Sequence, residues 1–232
     1  MTETQFATLP VKKVFFRLTI PSVLSMIFSS IYMMADGIFV GRFIGEHALA
    51  AVNLVMPIMM ILLALSNMIA VGSSVKVSTA LGENNIEKAR HLFSASVIMV
   101  VGLGVVFSVL GFIFLKPLIF SLIKDNMLAE MAYRYARVIT FGFPFIMPLF
   151  AMDNFLRVCG KAKYSMYVNI IVSVFNIILD WIFIARLGFG IEFSAISTVI
   201  NMVLGSIFSF APFLLKRLHC IFPDLKYQEM KL

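Results

Sequence analysis

Six apolar stretches follow one another along the chain, and each is long enough to cross a lipid bilayer as a helix. A spanning helix needs about 20 apolar residues, because each residue adds about 1.5 Å to a hydrocarbon crossing of about 30 Å. The predicted spans are 16–40, 48–72, 93–115, 130–156, 164–185 and 193–215. The sequence therefore predicts an all-α integral membrane protein, a bundle of six transmembrane helices.

Composition supports the same class. Hydrophobic residues make up 61% of the 232 residues, charged residues 13%, and the mean hydropathy is +0.98. A soluble domain of this size cannot cover that much apolar surface, so most side chains must face lipid or other helices. The apolar segment behind Lys12, Lys13 and Arg17 is longer than a secretory signal, so it is interpreted as a retained first helix.

The predicted organisation is a cytoplasmic segment over 1–15, a six-helix transmembrane lobe over 16–215 and a cytoplasmic tail over 216–232. Residues Lys116–Asn126, which begin Lys-Pro, are expected to form a short interfacial turn. Proline residues inside the spans are expected to bend their helices, and Pro21 and Pro144 are candidate hinges.

The distribution of basic residues predicts the orientation. An even number of spans places both termini on one side, and 13 of the 19 Lys and Arg residues fall on that side. The other six are Arg42, Lys116, Lys124, Arg134, Arg137 and Arg186. By the positive-inside rule both termini are cytoplasmic. The net charge of +7 is thus interpreted as topology and attraction to acidic lipid, with no nucleic-acid partner.

A short internal repeat sets two aspartates at matching depth. Asp36–Phe43 and Asp180–Leu187 share the pattern Asp-x-Ile-Phe-aliphatic-small-Arg-apolar, at the outer ends of the first and fifth spans. Each aspartate precedes its arginine by six residues, or about 9 Å of helix. A carboxylate near a helix centre costs about 2.5–3.5 kcal/mol to insert, so an intramembrane aspartate indicates a function.

Polar side chains recur every three or four residues on the first, fifth and sixth spans, and therefore lie on one face of each helix. They are Ser22, Ser25, Ser29, Tyr32 and Asp36; Asn169, Ser173, Asn176 and Asp180; and Ser194, Ser197, Thr198, Asn201 and Gly205. Such faces must contact other helices or water, so they predict a shared polar cavity that opens outwards. The hydroxyl groups can equally serve as contacts that hold helices together.

A buried carboxyl group either takes up a proton or, with amide and hydroxyl oxygens, holds a cation. Both properties suit coupling to an ion. The alternative of an aspartic dyad in an intramembrane protease is disfavoured, because the chain has no Gly-x-Gly-Asp element.

Several segments together resemble the multidrug and toxic compound extrusion (MATE) transporters, over about residues 10–220. They are Ile20-Pro, Asp36-Gly-Ile-Phe-Val-Gly-Arg, Ala48-Leu-Ala-Ala-Val, Ala80-Leu-Gly-Glu, Glu87-Lys-Ala-Arg, Phe155-Leu-Arg-Val-Cys-Gly, Asn176-Ile-Ile-Leu-Asp-Trp-Ile-Phe and Ala195-Ile-Ser-Thr-Val-Ile. The resemblance implies one lobe of a twelve-helix antiporter that exports organic, often cationic, drugs in exchange for Na⁺ or H⁺. No cofactor besides the coupling ion is implied, and no enzymatic activity.

The resemblance also implies a set of site residues. The expected cation site, for Na⁺ or a proton, is Asp36, Asn176, Asp180 and Thr198. Tyr32 and Pro21 match family positions linked to bending of the first helix, and Asn154 and Asn201 are assigned with them to the expected supporting network and hinge.

The chain departs from the family pattern because it holds a single lobe, and its tail resembles the linker between lobes. Either it is a fragment or truncated product, or it needs a missing second lobe or a second copy of itself. A flippase for a lipid-linked precursor is the alternative function, although such proteins tend to have a cationic cavity. The expected location is the cytoplasmic membrane.

Overall fold

The computed structural model describes residues 10–214, and within them every regular element is helical. The helices are α1 (Val11–Phe39), α2 (Glu46–Gly82), α3 (Ile86–Leu122), α4 (Asn126–Val158), α5 (Ala162–Asp180) and α6 (Ile191–Leu214). Short π-helical segments, Val40–Ile44 and Trp181–Arg186, extend α1 and α5. All six are long and apolar enough to cross a membrane, so the prediction of an all-α six-helix membrane bundle is confirmed. The predicted tail 216–232 and residues 1–9 lie outside the described part.

Helix α4 is the centre of the bundle. Its most apolar window is 67% buried, against 11–39% for the other five helices. It packs against α2, α3 and α6, while α1 pairs with α5 at one side and α6 contacts both groups. Hydroxyl groups on neighbouring helices donate hydrogen bonds to the part of α4 that contains its prolines. Ser206 Oγ donates to the Phe145 carbonyl at 2.5 Å, and Ser66 Oγ donates to the Met147 carbonyl at 3.4 Å.

Helices α3 and α4 approach closely because α3 carries small residues at the crossing. A Cβ atom on Gly104 would lie 2.8 Å from the Phe143 carbonyl oxygen, and one on Gly111 would lie 2.4 Å from the Thr140 methyl carbon. The crossing is antiparallel, since Gly104 meets Phe143 and Gly111 meets Thr140. Glycine at these positions therefore sets the distance between the two helices.

The expected interfacial turn over Lys116–Asn126 is wrong. Helix α3 continues through Pro117 to Leu122, and only Ile123–Asp125 separates it from α4. The proline costs one backbone hydrogen bond in the last two turns, which the helix tolerates. The turn comes instead before Asn126, where Asp125 Oδ1 accepts from Met127 N at 2.9 Å and Leu128 N at 3.1 Å and caps α4.

Candidate cation site between helices α1, α5 and α6

Both copies of the aspartate repeat lead into a π-helical segment. In α1 the segment begins four residues after Asp36, and in α5 it begins directly after Asp180. The two segments contact each other, which brings the ends of α1 and α5 together. The π-helix has wider turns than the α-helix and is rare in proteins. Where it occurs, it is often at a functional site. The sequence repeat therefore corresponds to a structural repeat that holds both aspartates at one end of the bundle.

Both aspartates are buried and bonded to α6. Asp36 is 8% exposed and Asp180 is 0% exposed. Ser194 Oγ donates to Asp36 Oδ1 at 2.9 Å, and Ser197 Oγ donates to Asp180 Oδ1. The Ser197 hydroxyl is also 2.9 Å from the Ser194 carbonyl oxygen. One face of α6 thus binds both carboxyl groups.

The two carboxyl groups also contact each other, within hydrogen-bonding reach. Two carboxylates so close in a medium of low dielectric cannot both keep an uncompensated negative charge. Either a proton is shared or a cation is held between them. The repeat predicted only that the two aspartates lie at similar depth. In the structure their side chains are also neighbours.

Polar atoms without a protein partner occur in the pair and one helical turn away from it along α5 and α6. Among the described residues, Asp180 Oδ2 makes no hydrogen bond, and neither do the side-chain amides of Asn176 and Asn201, although all are buried. A buried polar group without a partner costs about 1–3 kcal/mol. Carboxylate and amide oxygens are the donor set that Na⁺ and other hard cations accept. These atoms fit a bound cation, and the remaining amide N–H groups fit water or a ligand.

Two tyrosines lie near the pair. Tyr32, one turn before Asp36 on α1, interacts electrostatically with both aspartates. Tyr135 on α4 does the same and is only 4% exposed. Sequence reasoning missed Tyr135, because it lies among Glu130, Arg134 and Arg137 and the segment looks like a charged span end. The signal available in the sequence was its helical spacing from Ala129, Ala132 and Ala136, which are buried in the structure together with Tyr135.

The other expected site residues are placed differently. Thr198 is half-buried and makes no hydrogen bond to either carboxyl group within the described chain; Ser194 and Ser197 make those bonds. Asn154 donates to the Phe150 carbonyl of its own helix at 2.9 Å, so this bond does not join it to the pair. Pro21 is buried in α1, and its carbonyl accepts from Ser25 Oγ at 2.9 Å. The roles assigned to these three residues stay predictions.

A second charged cluster, which sequence reasoning missed, lies near the C-terminal end of α4. Arg157 Nη2 is 2.8 Å from Asp153 Oδ2, and Arg157 Nη1 donates to Ser22 Oγ on α1 at 2.8 Å. Asp153 Oδ1 accepts from Asn169 Nδ2 at 3.0 Å and from Ser165, both on α5. The Asp153–Arg157 pair therefore joins α4 to α1 beside Pro21 and to α5.

A cavity of about 450 Å³ extends between the Asp153–Arg157 cluster and Tyr32. Its walls include Tyr32 at one end and Asp153 and Arg157 at the other, with hydroxyl and apolar groups between. Members of the predicted stripes that line it are Ser25, Ser29, Tyr32, Asn169 and Ser173. The sequence predicted a cavity shared by the first, fifth and sixth helices. That prediction is only partly confirmed, because α4 forms one wall and α6 contributes only Met202.

A helical membrane lobe with a buried carboxyl pair and an adjoining polar cavity has the features of a transport protein. The MatE family profile matches residues 21–182, and the chain belongs to this family of MATE transporters.

Curated relatives agree with the family. The chain is 30% identical over 188 residues to the "Probable multidrug resistance protein YoeA" of Bacillus subtilis, covering 79% of this chain and 41% of that protein. It is 26% identical over 204 residues to the "Multidrug export protein MepA" of Staphylococcus aureus, covering 88% of this chain and 45% of that protein. The chain thus spans less than half the length of these relatives.

Solved structures agree as well. A transporter of the MOP superfamily from Pyrococcus furiosus superposes with a TM-score of 0.86 at 32% identity, covering 93% of this chain and 48% of the other. A MATE protein in complex with MaL6 superposes with a TM-score of 0.89 at 32% identity, covering 97% and 50%. The six helices therefore correspond to one lobe of a longer transporter.

Proposed function

We propose that the chain is the N-terminal lobe of an antiporter that exports organic cations and other toxic compounds across the cytoplasmic membrane in exchange for Na⁺ or H⁺. The observation that carries this proposal is the contact between the buried carboxyl groups of Asp36 and Asp180. Such a pair needs a positive charge, and exchange of that charge gives the ion a means to act on the helices that carry it.

The coupling ion would be held by Asp36 and Asp180, with the oxygens of Asn176 and Asn201 as further ligands for Na⁺. Ser194 and Ser197 orient the two carboxyl groups from α6. An ion that binds there neutralises the pair and favours the arrangement in which α1, α5 and α6 close around it. By linkage, it promotes release of a drug only if the drug favours the other arrangement.

The exported compound would occupy the cavity between α1, α4 and α5. Its hydroxyl-rich wall and the thioethers of Met26 and Met202 suit ligands of varied shape, because methionine side chains adapt readily. Asp153 offers a carboxylate, but Arg157 already neutralises it. Preference for cationic compounds would therefore depend on the Asp36–Asp180 pair.

Alternating access in such transporters needs two lobes that rock against one another. The share of each relative that this chain covers supports a partner, either a second six-helix lobe or a second copy of the chain. The excess of basic residues on the side of the termini supports cytoplasmic termini.

The test is drug export by the source organism after substitution at the chromosomal gene, where any second lobe is also expressed. Asp36→Asn and Asp180→Asn should each abolish energised export of a fluorescent cation while leaving the protein at normal abundance. Asp125→Asn is the control, because Asp125 is exposed and asparagine also caps a helix. Undiminished export in both aspartate variants would reject the proposal.

A further inference from the structure

The side of the bundle formed by α3 and α4 carries a cluster of cations that the transport site does not use. Of the six basic residues assigned to the side away from the termini, four lie at this corner: Lys116, Lys124, Arg134 and Arg137. Basic residues are disfavoured on that side and costly inside a span. Their concentration at one corner therefore needs an explanation of its own.

One of these cations, Arg137, lines a groove on the exposed face of the helix pair, and a second, Lys116, lies beside it. The groove has a volume of about 370 Å³, and Phe112 from α3 and Tyr133, Arg137, Val138 and Phe141 from α4 line it. At its edge, Lys116 Nζ lies 5.8 Å from the Tyr133 ring centroid and 5.9 Å from that of Phe120. Aromatic faces at these distances hold an ammonium group in place.

The groove lies within the length of both helices, away from their ends. Arg137 follows the start of α4 by about 16 Å of helix, and Lys116 precedes the end of α3 by about 9 Å. Both side chains are exposed. Since α3 and α4 are antiparallel, Lys116 is level with Tyr133, and Arg137 lies about one helical turn deeper.

Neither cation has an acidic partner within the described chain, and the acids nearby are occupied. Glu130 pairs with Arg134 at 3.1 Å, and Glu192 lies 3.9 Å from the same guanidinium. Asp125 accepts two backbone N–H groups at the start of α4. Arg137 and Lys116 are therefore exposed cations whose charge no carboxylate of the described residues balances.

We propose that this groove, lined by Phe112, Tyr133, Arg137 and Phe141 with Lys116 at its edge, binds the phosphate headgroup of an acidic phospholipid, with the acyl chains against its aromatic walls. Charge complementarity identifies the occupant, because two cations without an acidic partner among the described residues attract an anion. The apolar rings beside them can pack against hydrocarbon. Basic pockets between transmembrane helices bind acidic headgroups in this way. The guanidinium of Arg137 can bind a phosphate through two parallel hydrogen bonds, whereas Lys116 contributes a point charge.

The test measures thermal unfolding of the purified chain in mild detergent during titration with phosphatidylglycerol or, separately, phosphatidylcholine. Phosphatidylglycerol should raise the melting temperature more than phosphatidylcholine does, and inorganic phosphate alone should have no effect. Arg137→Gln and Lys116→Gln should each weaken the apparent lipid affinity about fivefold, as expected for one basic residue at a lipid surface. The double variant should lose the preference for phosphatidylglycerol.

Two matched variants control for general loss of charge or stability. Arg134→Gln removes a cation of the same helix that is already paired, so the lipid-induced shift should persist even if the starting temperature is lower. Arg137→Lys should keep most of the preference. An equal response to both lipids would overturn the proposal, as would an unchanged response in the double variant. A shift that followed protein concentration and was indifferent to lipid would also overturn it, by indicating a second copy in the groove.

Discussion

The hydroxyl of Ser194 on α6 donates a 2.9 Å hydrogen bond to Asp36 on α1, across 158 positions of sequence. Three residues further along α6, Ser197 bonds Asp180 of α5. Helix α6 is thus hydrogen-bonded to two carboxyl groups that lie on two other helices. A change of charge at the pair would alter these two hydrogen bonds, and with them the packing of α6 against α1 and α5.

Ser194→Ala should weaken this connection. Loss of one interhelical hydrogen bond in a membrane protein costs about 0.6–1.7 kcal/mol of stability, and here it also leaves Asp36 less well solvated. Thermal unfolding in detergent measures the loss. Ser30→Ala is the control, because Ser30 is exposed and donates only to the Met26 carbonyl of its own helix. Equal stability of the two variants would show that the Ser194 bond contributes nothing.

Tyr135→Phe should alter ion binding without disturbing the fold. The ring stays packed in the core, while the hydroxyl near both aspartates is lost. We expect a changed dependence of stability on Na⁺ or on pH, measured on the purified chain. Tyr133→Phe, two residues away and facing Lys116, keeps its ring and should behave as wild type. If both tyrosine variants respond as wild type, Tyr135 is only a packing residue.

Arg157→Gln should release the inner part of α1. It removes the bond to Ser22, next to Pro21, and leaves the Asp153 carboxylate without its cation. A hydrogen bond to a charged group contributes about 1.5–3 kcal/mol, so the local effect should be clear. Hydrogen exchange should become faster in α1 around Pro21 and in α5 around Ser165, while α3 keeps its protection. Unchanged exchange in α1 would contradict the role of this cluster.

Gly104→Ala should separate α3 from α4. The new Cβ would lie 2.8 Å from the Phe143 carbonyl oxygen and 2.9 Å from Pro144 Cα, and backbone atoms cannot move aside easily. Overpacking of this kind costs about 1–3 kcal/mol, measurable by thermal unfolding. Gly102→Ala, on the same helix with nothing within 4 Å of its Cβ, should be neutral or slightly stabilising. Equal melting temperatures would contradict the close crossing.

The six helices were predictable because the length of an apolar run is fixed by the bilayer, whatever the packing. The residues at which the helices end were less predictable. The polar segments around Lys76 and Glu87 continue α2 and α3 to a turn of three residues, Glu83–Asn85, beyond the apolar runs that the membrane requires. Pro117 suggested a stop, but a proline near a helix end removes only one bond.

The aspartate pair was predictable to the level of depth, because the repeat places Asp36 and Asp180 in equivalent positions. Their direct contact was not, since it depends on how the π-helical ends of α1 and α5 meet. Asp153 and Arg157 were missed for a related reason. The predicted fourth span ends at residue 156 and leaves Arg157 outside it, whereas the helix continues to Val158 and places Arg157 one turn after Asp153, with which it pairs.

In the proposed mechanism, Asp36 and Asp180 together bind the coupling ion. The most direct measurement is thermal stability of the purified chain in NaCl against choline chloride, from mildly acidic to mildly alkaline pH. Wild type should respond to Na⁺ or to pH through this pair, and Asp36→Asn and Asp180→Asn should each remove that response, while Asp125→Asn retains it. The same response in wild type and both aspartate variants would show that this pair does not bind the coupling ion.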